Sequence, residues 1–449
     1  MQPPADHVDS VTQSKPPIGL GVIFLTVFVD LVGFSIIFPL FPQMLDHYLA
    51  LEGDASFIGK LVAFLDAATG AQGAAARGYT VVLFGGLLGS LYSVLQFFSA
   101  PFWGRMSDRH GRRRILMFTS VGVAISYVVW AFSGSFALLV LSRLVGGAMS
   151  GNISVATAAV ADVTTAENRS KGMGMLGAAF GLGFLLGPAI GGGFATLYNP
   201  VADGGVLSGV PGINPFSAAA LAALVMASVN CVWIFMRFKE TLPEGGSEAA
   251  SKRPMNPLAF IKPVPFKGVS QTYLVYFVYL FAFTGMEFTL TFLAKERFAY
   301  TPGKNVMLFV FVGFIIAFVQ GGVVRRVTPK FGERKVILFG MSLLLPGMVV
   351  LGAASTEVMM YAGLGILSFG SALATPTLTA LVSLYTPSDR QGEILGTFRS
   401  LGALARAIGP IVACAVYWKF GSGSPYYGAA ALTVVPVLMA LKLPAPGED

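Results

Sequence analysis

Twelve long apolar segments, separated by short polar and basic loops, constrain the fold of this chain more than any other feature. Each is close to the ~20 residues that a helix needs to cross the hydrocarbon core of a bilayer. Only 12% of the 449 residues are charged, about half the share expected of a soluble domain. The sequence therefore predicts an all-α membrane protein with twelve transmembrane helices. The predicted spans are 18–41, 79–101, 114–133, 136–160, 172–197, 214–237, 271–294, 305–325, 336–354, 357–382, 394–417 and 425–442.

Basic residues indicate which loops face the cytosol. Most of the 30 Lys and Arg residues fall in the tails and in every second loop. This asymmetry predicts that both termini are cytosolic. The net charge of +8 is explained by this topology signal, so no nucleic acid is expected as a partner. Residues 1–17 lack the apolar core of a cleaved signal, and the sequence does not distinguish the plasma membrane from an endomembrane.

The chain divides into two related halves at a polar, proline-rich segment. Landmarks of the first half recur in the second at 221 or 222 positions: Gly111 and Gly332, Arg169 and Arg390, and Gly187-Pro188 and Gly409-Pro410. Two parallel six-helix repeats place a solute site near the midplane between them. The predicted organisation is a cytosolic tail (1–17), a first bundle (18–238), a cytosolic linker (239–270), a second bundle (271–442) and a second cytosolic tail (443–449).

Residues that form catalytic or metal sites are scarce. Cys231 and Cys414 both lie in apolar runs, and the three histidines fall outside the predicted spans. No disulfide, metal site or cofactor is therefore expected. The sequence has neither a phosphate-binding glycine loop nor a recognisable nucleophile arrangement, which argues against an enzyme.

The loop after span 2 contains the run GRMSDRHGRRR, residues 104–114. Its glycines let helices approach, its aspartate can cap a helix or pair with an arginine, and its basic cluster can bind anionic headgroups. The run resembles the signature loop of the major facilitator superfamily, in which such residues latch the two halves. That resemblance implies a cytosolic gate made of Gly104, Asp108, Arg109, Gly111 and Arg112. The second copy has Pro329 where Asp108 would align, so an asymmetric latch is expected.

Spans 4 and 5 carry two more runs of this kind. An arginine inside a span costs about 3 kcal/mol on insertion, so Arg143 should face a partner or water. Its run SRLVGGAMSGN resembles the superfamily motif whose arginine is implicated in proton coupling. The run GLGFLLGPAIGG in span 5 is similar to the antiporter motif of twelve-helix drug:proton antiporters, although a glycine stripe is commonly packing alone. The residues of that motif are Gly183, Gly187, Pro188 and Gly191.

Three further stretches narrow the resemblance. They are VLFGGLLGSLYSVLQFFSAP in span 2, FTGMEFTLTFLAKERF in span 7 and GTFRSLGALARAIGP in span 11. All are similar to the animal tetracycline-transporter-like proteins, which are associated with organic-anion transport. The resemblance implies the major facilitator fold, with two pseudo-symmetric six-helix bundles in a monomer. One scaffold hosts many solutes, so the substrate does not follow from the fold.

Ionisable residues inside the first bundle are candidates for proton coupling. At about 1.5 Å per residue, Asp30 lies roughly 18 Å from the cytosolic edge and Arg143 about 10 Å below the outer edge of a core about 30 Å thick. Similar depth suggests a charge pair with Asp30 as proton acceptor. The alternative is a static structural ion pair.

Ionisable residues in the second bundle are candidates for solute binding. Arg399 and Arg406 are seven residues apart and so share a face of span 11. Two guanidinium groups on one face suit a carboxylate or sulfonate. We expect Arg406 to bind the anionic head of a solute, Arg399 to lie on its exit path, and Glu287 to be a competitor or second proton site. Alternatively, Arg399 snorkels to headgroups and Arg406 only neutralises Glu287.

Other polar features are less specific. Gln96, Asn152 and Gln320 are candidate solute contacts, although hydrogen bonds between helices are their commoner use. Between spans 1 and 2, residues 56–68 have apolar side chains at helical spacing. They predict an amphipathic helix at the outer interface or a packed loop helix.

Together these features predict a secondary active transporter that exports amphipathic organic anions by proton-coupled alternating access. A drug or organic-cation:proton antiporter is an alternative, because Asp30 and Glu287 could bind a cation. A non-transporting membrane scaffold or receptor with the same fold is the second alternative. The expected partners are a small anionic organic solute, protons and the lipid bilayer.

Overall fold

The computed structural model describes residues 19–69, 74–164, 166–201, 207, 209–242, 264–387 and 391–444. The α-helices are α1 (Leu20–Ser35), α2 (Phe41–Glu52), α3 (Phe57–Thr69), α4 (Ala74–His110), α5 (Arg112–Ala131), α6 (Phe136–Met149), α7 (Asn152–Val163), α8 (Ala166–Leu197), α9 (Ser217–Arg237), α10 (Val269–Phe298), α11 (Pro302–Phe318), α12 (Arg325–Phe331), α13 (Glu333–Gly352), α14 (Glu357–Leu384), α15 (Gln391–Phe420) and α16 (Ser424–Ala440).

The regular structure of the described residues is helical throughout, which confirms the all-α prediction. Ten helical segments in these ranges are long and apolar enough to cross a bilayer. The remaining two predicted spans coincide with α4 and with the 17-residue α16. The N-terminal tail, residues 445–449 of the C-terminal tail and most of the predicted linker, residues 243–263, lie outside the described residues, as do Arg390 and the side chain of Arg169.

The internal repeat is visible in the backbone at the Gly111 and Gly332 landmarks. Gly111, between α4 and α5, has φ +95°, and Gly332, between α12 and α13, has φ +79°. Residues other than glycine rarely adopt this backbone conformation, so glycine is favoured at both turns. The two turns therefore join their helices in the same way, 221 positions apart.

The two halves meet along paired helices, with α4 packed on α15 and α8 packed on α11. A Cβ atom at Gly86 of α4 would lie 2.7 Å from Cys414 Sγ and 3.0 Å from the Pro410 carbonyl oxygen of α15. Only glycine allows this approach, as expected where helices pack closely in a membrane.

Polar side chains connect the two halves directly at one end of the molecule. We call the end that carries residues 104–114 the inner end and the opposite end the outer end. At the outer end Lys295 and Asp46 form an ion pair between the halves. Asn305 Nδ2 donates to the Pro39 carbonyl at 3.4 Å nearby. The outer ends of the halves are therefore directly connected.

The predicted helix at residues 56–68 is present as α3. Phe57 and Phe64 are 62% and 67% exposed, whereas Ile58 and Val62 are buried. The helix therefore packs one apolar face on the protein, while its other face exposes large apolar side chains.

The fourth predicted span, residues 136–160, is broken in the middle. The backbone leaves helical geometry at Ser150 and Gly151, which separates α6 from α7. Side chains of α4 satisfy the freed carbonyls: Ser99 Oγ donates to Gly147 at 3.1 Å and Trp103 Nε1 to Ala148 at 2.7 Å. The break is thus an ordered feature, held by its neighbour α4.

Candidate solute site between the two halves

A cavity of about 140 Å³ lies between the two halves. Helix α8 of the first half lines one wall, and α10, α11, α14 and α15 of the second half line the others. Its aromatic lining residues are Phe180, Phe184, Tyr276, Tyr279, Phe283 and Phe309, and its polar or charged ones include Thr284, Glu287, Gln320, Ser371, Thr375, Arg399 and Arg406. Apolar walls with a few convergent polar groups are typical of small-molecule sites.

Two arginines of α15 supply the positive charge of the cavity. The Cζ atoms of Arg399 and Arg406 lie 5.5 and 5.3 Å from the centroid of the same Phe180 ring. The Tyr276 side chain also lines the cavity and interacts with Arg406. The seven-residue spacing does place both side chains on one face, as the sequence analysis predicted.

Glu287 also lines the cavity, where its carboxylate interacts electrostatically with Arg406. The two side chains nevertheless form no ion pair among the described residues. Arg406 is therefore not neutralised by direct contact with Glu287. The described lining of the cavity thus contains two guanidinium groups and one carboxylate.

Further polar groups lie on α10, on α14 and on the π-helical turn after α11. Tyr279 Oη lies 2.7 Å from Ser371 Oγ and 2.8 Å from Thr375 Oγ1. Gln320, a predicted solute contact, lines the cavity from Val319–Val324, where the helix widens to π geometry. A π-helical turn inside an α-helix is frequent at functional sites.

The other two predicted solute contacts lie away from this cavity. Gln96 Nε2 donates to the Ser150 carbonyl at the helix break, 3.5 Å away. Asn152 accepts a hydrogen bond from Thr119 and donates to Asp30 Oδ1 at 3.0 Å. Both make contacts between helices of the first half, which is the commoner use of such residues in membranes.

The predicted ion pair between Asp30 and Arg143 is wrong for this conformation. Asp30 is held by Asn152, while the Cζ atom of Arg143 lies 5.0 Å from the centroid of the Trp130 ring. Arg143 is only 2% exposed and its Nη2 has no hydrogen-bond partner. The depth estimate from sequence assumed a continuous helix and so did not include the break at Ser150. Because of the break, Asn152 rather than Arg143 contacts Asp30.

The inner-end loop forms a buried network. Arg112 pairs with Asp108 and, through Nε, with Asp162 Oδ2 at 2.9 Å, and its Nη1 donates to Ser107 Oγ at 2.7 Å. The predicted gate residue Arg109 is exposed instead. Gly104 is packed so closely that a Cβ atom there would lie 2.7 Å from Ser154 Oγ.

Sequence reasoning missed two acidic members of this network, Asp162 at the end of α7 and Glu240 after α9. The Glu240 carboxylate accepts from the backbone N–H groups of Arg112 at 2.7 Å and Arg113 at 3.2 Å. An anion is favoured here because these N–H groups, at the N-terminus of α5, have no hydrogen-bond acceptor within their own helix. No local signal could have identified Glu240, since it lies far from Arg112 in the chain.

The glycine stripe of span 5 packs against α1. Ser35 Oγ donates to the Gly183 carbonyl at 2.9 Å. A Cβ atom at Gly187 would lie 2.5 Å from the Val32 carbonyl oxygen, and Gly191 lies against Ile36. Pro188 is accommodated inside α8. In this conformation the stripe is a close-packing surface within the first half.

Comparisons with known proteins cover nearly the whole chain. A family model described as Major Facilitator Superfamily matches residues 23–410 and 323–449. The mouse protein named major facilitator superfamily domain-containing protein 10 is 36% identical over 447 residues, which are 95% of this chain and 93% of the mouse protein. The Escherichia coli tetracycline resistance protein, class B, is 28% identical over 400 residues, 88% of each protein. The crystal structure of the human organic anion transporter MFSD10 (TETRAN) has a TM-score of 0.73 at 34% identity, and covers 94% of this chain and 98% of the human one.

Proposed function

Because this chain belongs to the major facilitator superfamily and is a multi-pass membrane transporter, we propose that it exports amphipathic organic anions by proton-coupled alternating access. The solute would bind in the cavity between the halves, with Arg406 on its anionic head and Arg399 on the exit path. Gln320 would add a polar contact.

The observation that carries this proposal is the pair of arginines in an aromatic-lined cavity. Charges within a span are costly, so they are kept where they pair with each other or with a solute. Glu287 interacts electrostatically with Arg406 but forms no direct ion pair with it. The planar donors of arginine suit carboxylate and sulfonate groups, and the aromatic walls suit an apolar body. The human relative is named as an organic anion transporter, which agrees with this solute class.

Proton coupling is assigned to Asp30, Arg143 and Glu287. Asp30 is the proton acceptor of the first half. It accepts a hydrogen bond from Asn152, beside the break between α6 and α7. Discontinuous helices are common at the ion sites of secondary transporters. Arg143 keeps an unused donor within the same bundle, available to a carboxylate in another conformation. Glu287 is either a competitor for Arg406 or a second proton site.

The gate at the inner end is assigned to the 104–114 loop. Asp108 and Arg112 form its buried ion pair, and Gly111 provides the turn between α4 and α5. We expect this network to loosen as the halves rock. Its position on the cytosolic side follows from the proposed topology, in which both termini face the cytosol. The asymmetry with Pro329, inside α12, means that the second half contributes no equivalent acid.

Uptake into proteoliposomes tests the proposal. The solutes are labelled benzenesulfonate and labelled phenyltrimethylammonium, which share one ring and carry opposite permanent charges. Because neither solute titrates, an imposed pH gradient can act only through the protein. We expect gradient-driven accumulation of the sulfonate by wild type and its loss in Arg406→Ala. Sulfonate uptake that is unchanged in a folded Arg406→Ala variant would refute the assigned site.

A second candidate is a drug or organic-cation:proton antiporter. It is favoured by the presence of Glu287 in the aromatic cavity and by the similarity to tetracycline resistance proteins. Gradient-driven uptake of phenyltrimethylammonium, lost in Glu287→Gln, would support it over the anion carrier. Transport of neither solute nor of larger analogues under any gradient would favour the non-transporting scaffold.

A further inference from the structure

One phenylalanine of the first half contacts both arginines of the second. Phe180 is on α8, whereas Arg399 and Arg406 are on α15, and both Cζ atoms lie within cation–π distance of its ring. Close approach of Arg399 is possible because the neighbouring residue of α8 is Gly177, where a Cβ atom would lie 3.2 Å from Arg399 Nη2. The contact is therefore built by both helices.

The ring is fixed within the first half. Phe180 stacks on Phe184 with ring centroids 6.5 Å apart. Phe184 in turn contacts Phe34 at 5.7 Å and Phe38 at 5.9 Å, beside the end of α1. Movement of the first half therefore carries Phe180 with it.

A ring over a guanidinium group uses the face of the cation and leaves its edge free. The hydrogen-bond donors of arginine lie in the guanidinium plane, so an anion can bind at the edge while the face stays stacked. Each long arginine side chain otherwise has about 2 kcal/mol of rotamer entropy to lose on binding an anion. Stacking on Phe180 removes part of that freedom before the solute arrives.

We infer that Phe180 is a positioning residue for the anion site, which it prepares only while α8 lies against α15. This inference rests on the proposed anion transport and extends it. Alternating access moves one half against the other, so the contact differs between conformations. Anion affinity is then higher in the conformation described here, with the outer ends joined. A solute can shift a conformational equilibrium only through such a difference in affinity.

Binding of labelled benzenesulfonate to the purified full-length protein tests the inference, with neutral benzenesulfonamide as a solute of the same shape. Phe180→Leu removes the aromatic face but keeps an apolar side chain. We expect the Kd for the sulfonate to rise about fivefold or more, as for the loss of one desolvated cation–π contact. Phe180→Tyr should keep the wild-type Kd, and neither substitution should change the Kd for the sulfonamide.

Phe309→Leu is the matched control, because Phe309 lines the same cavity from α11 and has no described contact with Phe180 or with either arginine. It should affect the sulfonate and the sulfonamide equally. Equal loss of both solutes in Phe180→Leu, or failure of Phe180→Tyr to retain affinity, would refute the positioning role. Wild type that binds the sulfonate no better than the sulfonamide would refute the proposed anion site itself, so the two failures are distinguishable.

Dependence on conformation has its own test. Cysteines in place of Asp46 and Lys295, joined by a short bifunctional thiol reagent, would hold the outer ends together. We expect Phe180→Leu to weaken sulfonate binding more in the cross-linked protein than before cross-linking. An equal effect in both would show that Phe180 acts independently of the conformation.

Discussion

The inner-end network makes a quantitative prediction for Arg112→Ala. The Arg112 side chain is 3% exposed and its partner Asp108 is 1% exposed, so truncation removes a buried ion pair between the two side chains. Breaking a buried pair in this way costs about 3–5 kcal/mol. Asp162 is less affected, because it is 16% exposed and still accepts a hydrogen bond from Thr241 at 3.1 Å.

Thermal unfolding in detergent, followed by tryptophan fluorescence, measures this cost. For a cooperative unit of roughly 220 residues, the loss corresponds to a decrease in Tm on the order of 10 °C. Asp108→Asn in the Arg112→Ala background removes the buried negative charge that has lost Arg112, so it should recover a large part of the decrease. Arg109→Ala is the control, since that neighbouring side chain is exposed and should change stability by less than about 0.5 kcal/mol. Equal Tm values for Arg112→Ala and Arg109→Ala, or no recovery in the double variant, would refute the reasoning.

Three further perturbations test other parts of the structure. Asp46→Ala should favour opening of the outer end by up to about fivefold, because an exposed ion pair contributes about 0.2–1 kcal/mol. Asp46→Lys combined with Lys295→Asp should restore the wild-type level of opening. Thiol labelling of an outer-end cysteine measures both effects. Gly187→Ala should cost about 1–3 kcal/mol by overpacking against α1, whereas Gly193→Ala, with nothing within 4 Å of the added Cβ atom, should leave Tm unchanged. Asp30→Asn should abolish the response of benzenesulfonate uptake to an imposed pH gradient; an unchanged response would remove Asp30 from proton coupling.

Some features could be predicted from sequence because they depend on local composition or periodicity. Apolar run length predicted the membrane class and the helices. Spacing predicted that Arg399 and Arg406 share a face of α15, and the repeat predicted equivalent turns at Gly111 and Gly332. Each of these follows from the chain within one helix or one loop, where geometry is set by neighbouring residues.

Other features depended on which faces meet, and sequence gave no access to them. Asp30 and Arg143 lie in different helices, and similar depth does not determine whether they point at each other. The helix break at Ser150 directs Asn152 at Asp30, while Arg143 packs on Trp130. The Ser150-Gly151 dipeptide is itself a turn signal, but its position inside a long apolar run favoured a continuous span.

The repeat also explains how the two halves come to do different work. Equivalent positions keep the same turns, yet the buried Arg143 corresponds to the buried Leu364 of the second half. Conversely, the cavity arginines are on α15 in the second half, and the first half contributes the Phe180 ring that contacts them. A charge on one half that stacks on a ring of the other responds to any movement between them. We therefore expect coupling between proton and solute to pass through this shared surface of α8 and α15. It joins the half that contains Asp30 to the half that contains the two arginines of the proposed solute site.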